Sequence, residues 1–267
     1  MSYTSPDFWI LVAATLLGAG LLPARLRLPW LIAASLVFYA APDPARLVWL
    51  GAVWGLAAGA VGLMPAARPW FVAGPAIAAL VLLLVWAKFS DALGLPDAGG
   101  PPGLSFYVFT AIALVAEAAR QRALWGAGVA LLHLAWFPKL LAGPIERPQE
   151  LIPQFSAIAV RPGPAALGFT LILSGLVKKL VIADNLAPVV DAAYGIPAFA
   201  APMELLIATY FFAFQIYCDF SGYADIALGL SALVGLRLSR NFNHPYLAAT
   251  VGEFWSARWH ISLGHWF

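Results

Sequence analysis

The feature that most constrains this chain is the recurrence of long apolar runs without charge. Residues 70–87, for example, contain no Asp, Glu, Lys or Arg. An α-helix needs about 20 mostly apolar residues to cross a bilayer. Bounding such runs by charges or by proline and glycine clusters gives eight candidate spans: 8–22, 28–41, 47–63, 70–87, 104–119, 123–141, 165–188 and 204–236. The short spans 28–41 and 104–119 are expected to be tilted, re-entrant or partly inserted.

The composition excludes several classes of protein. Charged residues make up 10% of the 267 residues and hydrophobic residues 62%, whereas soluble domains carry about 25% charged residues. The net charge of +2 is too small for a disordered chain or for a nucleic-acid partner. The single cysteine, Cys218, excludes an internal disulfide and a multi-thiolate metal site.

No stretch alternates like a barrel strand, and lipid admits only helices or closed barrels. We therefore predict an all-α, polytopic transmembrane protein forming a single membrane domain over 1–267. Residues 1–103 are expected to be scaffold helices. Residues 104–267 carry polar groups inside apolar segments, which is costly and indicates function.

Basic residues in short loops predict the orientation. No positively charged region precedes the first apolar run, so we expect a retained span rather than a signal peptide. One set of alternate loops holds Arg25, Arg27, Arg68, Arg120 and Arg122. The opposite set holds only Arg46 and Lys88, with Asp7, Asp43, Asp91 and Asp97. The first set is therefore expected in the cytoplasm and the N-terminus outside.

Four prolines interrupt the segment 136–155, whose sequence is WFPKLLAGPIERPQELIPQF. Proline prevents a continuous helix, and irregular backbone at membrane depth survives only where protein or water satisfies it. The segment therefore lines a cavity or lies at the interface. The alternative, which residue chemistry alone favours, is a surface loop with four solvated charges: Lys139, Glu146, Arg147 and Glu150.

The apolar run 204–236 contains the polar stretch FQIYCDFSGYADI. Helical spacing divides its polar and small residues between two faces. These are Gln215, Asp219 and Gly222 on one face, and Tyr217, Ser221 and Asp225 on the other. A buried polar network that fixes helix packing explains them, and catalysis by Asp219 or Asp225 is the alternative.

The last stretch, 250–267, is TVGEFWSARWHISLGHWF. Thr250 and Glu253 fit a capping box that starts a helix. On that helix an aromatic stripe typical of a membrane interface would comprise Trp255, Trp259, Ser262 and Trp266. On that helix His260 would be in register with Glu253, seven residues earlier. An imidazole with a nearby acid is typical of a general base, although a lone histidine more often has a packing role.

The other histidines give weaker signals. His133 lies in an apolar span as a helix-contact donor, His244 in a turn, and His265 near the last residue. The sequence has neither an HxxxH nor an HExxH pair, so no metal site is predicted.

Five motifs occur in one order: WFPKLLAGPIERPQ, GLVKKLVIADNLAP, FQIYCDFSGYADIALGL, NFNHPY and EFWSARWHISLGHWF. Together they resemble the membrane-bound O-acyltransferase family, and most closely its alginate O-acetyltransferase branch. The D-alanyl transfer protein of teichoic acid synthesis is a near relative of that branch. The upstream segment LSFYVFTAIALVAEAAR is similar to the branch's ISFYTFQ segment, with Thr110 and Glu117 where the family often has Gln and Asp. The resemblance covers residues 104–267.

This resemblance implies broken helices around a funnel and transfer of an acyl group to a hydroxyl of an exported polysaccharide such as alginate. His260 would be the catalytic residue. Its substrate-binding or supporting residues would be Asp219, Ser221, Tyr223, Asp225, Asn243, Glu253, Arg258 and Trp259. The implied co-substrate is an acyl thioester such as acetyl-CoA, with no bound cofactor.

The implied location is the bacterial inner membrane. The implied partners are membrane lipid, a polysaccharide or acyl-carrier acceptor, and an acetyltransferase outside the cell membrane. The family has a further histidine after a segment like WFRDYLYIPLGG, which would begin where this sequence ends. We therefore expect a fragment or a shortened homologue that lacks part of the active site. The alternatives are a noncatalytic scaffold of an acetylation complex and a transporter or channel subunit.

Overall fold

The structure is a computed structural model that describes residues 3–96, 99–195 and 201–267. Asp97, which entered the charge tally, lies outside these residues. Of the described residues, 76% are helical, and they form no strand beyond one isolated bridge between Phe242 and Trp259. The prediction of an all-α protein is confirmed.

Within the described residues 3–96 and 99–121, five helices form the amino-terminal part. They are α1 (Pro6–Leu21), α2 (Ala24–Ala40), α3 (Arg46–Gly62), α4 (Trp70–Phe89) and α5 (Leu104–Gln121). Helix α5 packs against both α3 and α4. Its buried Tyr107 receives a hydrogen bond from Tyr39 of α2 at 3.3 Å. Helix α5 is therefore the central element of this layer.

Eight helices follow in the described residues up to Phe267, several of them very short. They are α6 (Ala127–Ala135), α7 (Phe137–Leu140), α8 (Pro148–Leu151), α9 (Pro162–Leu176), α10 (Asp184–Gly195), α11 (Pro202–Leu233), α12 (Val251–Glu253) and α13 (Ile261–Trp266). Two π-helical turns, Val177–Ala183 and Phe254–Arg258, follow α9 and α12. The predicted broken helices of the second half are confirmed.

Two segments that were predicted to be continuous helices are interrupted in the structure. The span 123–141 is divided, because α6 begins only at Ala127 and Trp136 leaves the helical conformation before Pro138. The helix expected over 250–267 is also divided. There Trp259 is extended and His260 has a φ of 49°, a left-handed conformation that side chains other than glycine rarely adopt.

Three described helices are long and apolar enough to cross a membrane: Trp70–Phe89, Gly163–Gly195 and Pro202–Leu233. The second of these counts α9, its π-helical turn and α10 as one helix. Helices α1 and α3 are apolar but shorter. Large apolar side chains on the long helices, such as Phe71, Leu82 and Phe169, face outwards, as lipid-facing residues do. The chain is a membrane protein.

Glycines allow helices α9 and α11 to pack backbone against backbone. A Cβ on Gly175 would lie 2.5 Å from the carbonyl oxygen of Gly222. One on Gly229 would lie 2.6 Å from the carbonyl oxygen of Gly168. Small residues permit this close approach between membrane helices, where dispersion rather than water exclusion drives association. The contact fixes α11 against the lysine-bearing turn that follows α9.

Gly175→Ala is expected to destabilise the protein by about 1–3 kcal/mol, because the added methyl group overpacks an interface of two backbones. Tryptophan fluorescence during thermal unfolding in detergent measures the change. Gly59→Ala is the matched control, since its Cβ would meet nothing within 4 Å in α3. If both variants unfold at the wild-type temperature, the close packing of α9 and α11 is contradicted.

Candidate functional site

Side chains from distant elements satisfy the backbone of the proline-broken segment. The amide of Phe137 donates to Ser35 Oγ at 3.2 Å. The amide of Leu141 donates to the Tyr223 hydroxyl at 3.3 Å, and that hydroxyl donates to the carbonyl of Pro138 at 3.0 Å. Buried backbone groups need such partners. The segment is thus built into the protein by residues of α2 and α11.

The surface-loop interpretation of 136–155 is wrong for two of its four charges. Lys139 and Glu146 are buried, whereas Arg147 and Glu150 are exposed. The Glu146 carboxylate accepts hydrogen bonds from the Ser239 amide at 2.6 Å and the Ser239 hydroxyl at 3.0 Å. Burial raises the pKa of the Glu146 carboxyl, and the bonds from Ser239 oppose that rise. Glu146 therefore ties the broken segment to the loop after α11.

Adjacent lysines in the π-helical turn Val177–Ala183 pair with different residues of α11. Lys178 Nζ lies 2.6 Å from Asp225 Oδ2. Lys179 Nζ lies 2.8 Å from Asp219 Oδ1 and 2.8 Å from Asp184 Oδ1. Such single-turn π-bulges are frequent at functional sites. Both aspartates predicted on α11 therefore have cationic partners.

One cleft is lined by two of the predicted residues, Asp219 and Tyr223, and is called here the Asp219 cleft. Its volume is about 390 Å³. Its walls include Tyr3, Phe106, Lys179, Asp219, Phe220 and Tyr223. Apolar walls with a few convergent polar groups are typical of small-molecule sites.

His260 lies against the aromatic wall of this cleft. Its ring centroid is 5.0 Å from that of Phe220 and 6.1 Å from that of Phe106. Its Nε2 is buried and has no hydrogen-bond partner among the described residues. Burial lowers the pKa of His260 to about 4, so the imidazole is neutral near pH 7.

A short backbone pairing holds His260 in place. The amide of Asn243 donates to the Arg258 carbonyl at 2.9 Å, and the amide of Ile261 donates to the Asn241 carbonyl at 3.0 Å. The Asn241 side chain also accepts from the amide of Ser262 at 3.3 Å. Ser262 Oγ in turn accepts from the amide of Ile145 at 3.0 Å. The loop 241–243, the His260 turn and the broken segment thus form one hydrogen-bonded unit.

Glu253 and Arg258 support this pairing from outside. The predicted helical register between Glu253 and His260 is wrong, because the helix ends before His260. Glu253 instead accepts from Arg258 Nε at 2.6 Å and from the amide of Ala249 at 2.8 Å. The predicted cap is present, since the Glu253 amide donates to Thr250 Oγ1 at 3.0 Å.

Two further predicted residues are Trp259 and Ser221. Trp259 stacks on Phe254 at 5.5 Å and meets Phe242 edge to face at 5.1 Å, which divides the aromatic stripe predicted for a single helix. Ser221 is buried, with no partner for its hydroxyl among the described residues. Nothing in the described parts of the chain brings three His, Cys, Asp or Glu side chains together as metal ligands.

Sequence reasoning missed several residues of the site. Lys178 and Lys179 were not predicted as site residues, although two adjacent lysines inside an apolar run are a signal for ion pairs with nearby carboxylates. Phe106 and Phe220 gave no signal, since aromatic residues are common throughout the chain. Asn241 was passed over in favour of its neighbour Asn243.

The comparisons with known proteins agree with the motif resemblance. No family model matches the chain. Over its whole length it is 35% identical to a probable alginate O-acetylase of Azotobacter vinelandii and 34% identical to one of Pseudomonas aeruginosa, covering 58% and 55% of those proteins. Over 49% of its length it is 38% identical to 25% of a peptidoglycan O-acetyltransferase of Helicobacter pylori.

The chain is thus homologous to proteins of the membrane-bound O-acyltransferase family. Within that family its full-length similarity is to the alginate O-acetylases, which confirms the resemblance seen in the motifs. The chain spans between half and two thirds of the length of these relatives.

The ion pair of Glu253 predicts a pH-dependent contribution to stability. Hydrogen bonds from the Ala249 amide and from Arg258 lower the pKa of Glu253 below its ordinary value of 4.5. A carboxyl whose pKa is lower in the folded state stabilises the fold above its unfolded pKa and ceases to do so as the pH falls through its folded pKa. The wild type should therefore unfold at a higher temperature than Glu253→Gln at pH 7, and the difference should shrink progressively as the pH is lowered below 4.5. A difference that is independent of pH would contradict this.

Proposed function

We propose that this chain is the whole or a part of a membrane-bound O-acyltransferase that transfers an acetyl group to an exported polysaccharide such as alginate. The names of the relatives that match this chain over its whole length support this proposal. The observation that carries it is the position of His260, whose ring packs against Phe106 and Phe220 of the Asp219 cleft and whose buried Nε2 has no hydrogen-bond partner among the described residues. A neutral imidazole can accept a proton at physiological pH.

In the proposed reaction, the acceptor hydroxyl oxygen attacks the carbonyl carbon of an acyl thioester. His260 Nε2 takes the hydroxyl proton as the new C–O bond forms. The C–S bond then breaks, and the imidazolium returns the proton to the departing thiolate. The products are an ester and a free thiol, so His260 ends as it began.

The Asp219 cleft would hold the acceptor. Lys179 and Asp219 form an ion pair whose charges remain about half exposed, so they are accessible to sugar hydroxyls. The Tyr223 hydroxyl is engaged by Pro138 and Leu141, and its role is to hold the cleft wall in place. Behind the walls of this cleft, the site would be supported by Asp225, Asn243, Glu253, Arg258 and Trp259.

We further propose the setting of this reaction. The chain would lie in a bacterial inner membrane with its N-terminus outside, as the loop charges favour. The thioester donor, acetyl-CoA or a similar compound, would arrive from the cytoplasm. The acceptor would be a polysaccharide or an intermediate acyl carrier, with a second acetyltransferase as the partner outside the membrane.

His260→Ala, introduced into the gene that contains this sequence, is expected to lower polysaccharide O-acetylation by about 100-fold or more, the contribution of a positioned acid–base group. The measurement is the O-acetyl content of polysaccharide released by the cells. His265→Ala is the matched control, because His265 is exposed and its recorded contact uses only its backbone carbonyl. Both variants should reach wild-type amounts in the membrane.

Full acetylation in His260→Ala would remove this residue from the mechanism. Loss of acetylation in both variants would point to a structural effect of the segment. If the wild type binds a partner acetyltransferase but His260→Ala acetylates normally, the noncatalytic scaffold becomes the better description of the chain.

A further inference from the structure

A second cleft lies beside α11 and shares no lining residue with the Asp219 cleft. It is called here the Arg240 cleft, and its volume is about 250 Å³. It lies between the turn after α9, the helix α11 and the loop that follows α11. Its polar walls come from Lys178, Asp225, Arg240, Asn241 and His244. The mechanism proposed above uses none of its basic groups.

The Arg240 cleft has more cationic and donor groups than its own acceptors occupy. Asp225 accepts from Lys178 at 2.6 Å and from Ser174 at 3.2 Å, so this carboxylate is already engaged. Arg240 is exposed and forms no salt bridge with any carboxylate in the described part of the chain. Two cations against one carboxylate leave a net charge of +1 in the cleft.

An unsatisfied buried donor adds a second, independent indication. Asn241 is only 1% exposed, and its Nδ2 has no hydrogen-bond partner among the described residues. Its Oδ1 is occupied by the amide of Ser262, so the amide nitrogen is the group left over. A buried donor without a partner costs about 1–3 kcal/mol, which a ligand oxygen would recover.

From these observations we propose that the Arg240 cleft binds a phosphate ester group. Guanidinium and amide donors around a positive charge suit the oxygens of a phosphate. The cleft is much larger than the space of about 10–15 Å³ that a single water needs in the same measure of volume. It therefore admits the organic part of the ester as well as the phosphate group. Tyr217 and Phe242, which also line the cleft, offer aromatic faces to the organic part.

The phosphate ester belongs either to a soluble compound or to a phospholipid headgroup, and two binding experiments distinguish these sources. A soluble phosphate ester is tested by titrating the purified chain, in a neutral detergent, with coenzyme A and with inorganic phosphate in a calorimeter. A phospholipid headgroup is tested by counting the lipids that stay bound, by native mass spectrometry, after transfer from nanodiscs containing phosphatidylglycerol. Binding in either arm supports the cleft and identifies its source.

Arg240→Gln should weaken binding about tenfold or more, as expected for loss of a charge-assisted hydrogen bond. Arg240→Lys should bind with intermediate affinity, because it keeps the charge but loses the planar fork. Arg237→Gln is the matched control, since Arg237 is exposed on the same loop but does not line the cleft.

Equal affinity of the Arg240→Gln and Arg237→Gln variants would overturn the proposal, and so would absence of binding by the wild type in both arms. The test is separate from that of acyl transfer, because it needs no turnover. His260→Ala should bind the phosphate ester as the wild type does even if it acetylates nothing.

Discussion

The structure depends on the hydrogen-bond partners that the protein supplies, away from water, to the backbone of the proline-broken segment 136–155. Prolines divide the chain after α6, and every amide and carbonyl they free must find a partner inside the protein. Ser35, Tyr223 and Ser262 supply partners to Phe137, Leu141 and Ile145. These three acceptor side chains come from α2, α11 and α13. The break therefore connects elements that are far apart in sequence, and it places the His260 turn beside α11.

Helix α11 is the element on which both clefts depend. Glycine contacts with α9 hold it close, and that closeness lets adjacent lysines reach aspartates on two of its sides. Asp219 with Lys179 lines one cleft, and Asp225 with Lys178 lines the other. The two clefts are thus separate environments on one helix.

The sequence predicted the class of fold because hydropathy acts over whole segments. It also located the polar stretch of α11 and the His260 motif. It failed where geometry depends on single residues. The left-handed conformation of His260 broke the helix on which its register with Glu253 was based, and no periodicity reports such a break. The burial of Lys139 and Glu146 was missed because Ser239, which binds Glu146, lies 93 residues away in the chain.

Hydrogen exchange of the backbone amides in 137–145 tests the central claim most directly. The bonds described predict that the amides of Phe137, Leu141 and Ile145 exchange slowly, and that Ser262→Ala accelerates exchange at Ile145 while leaving Phe137 unchanged. Exchange of all three at the rate of an open loop such as 65–69 would contradict the account, because the broken segment would then be solvated rather than held by the surrounding helices.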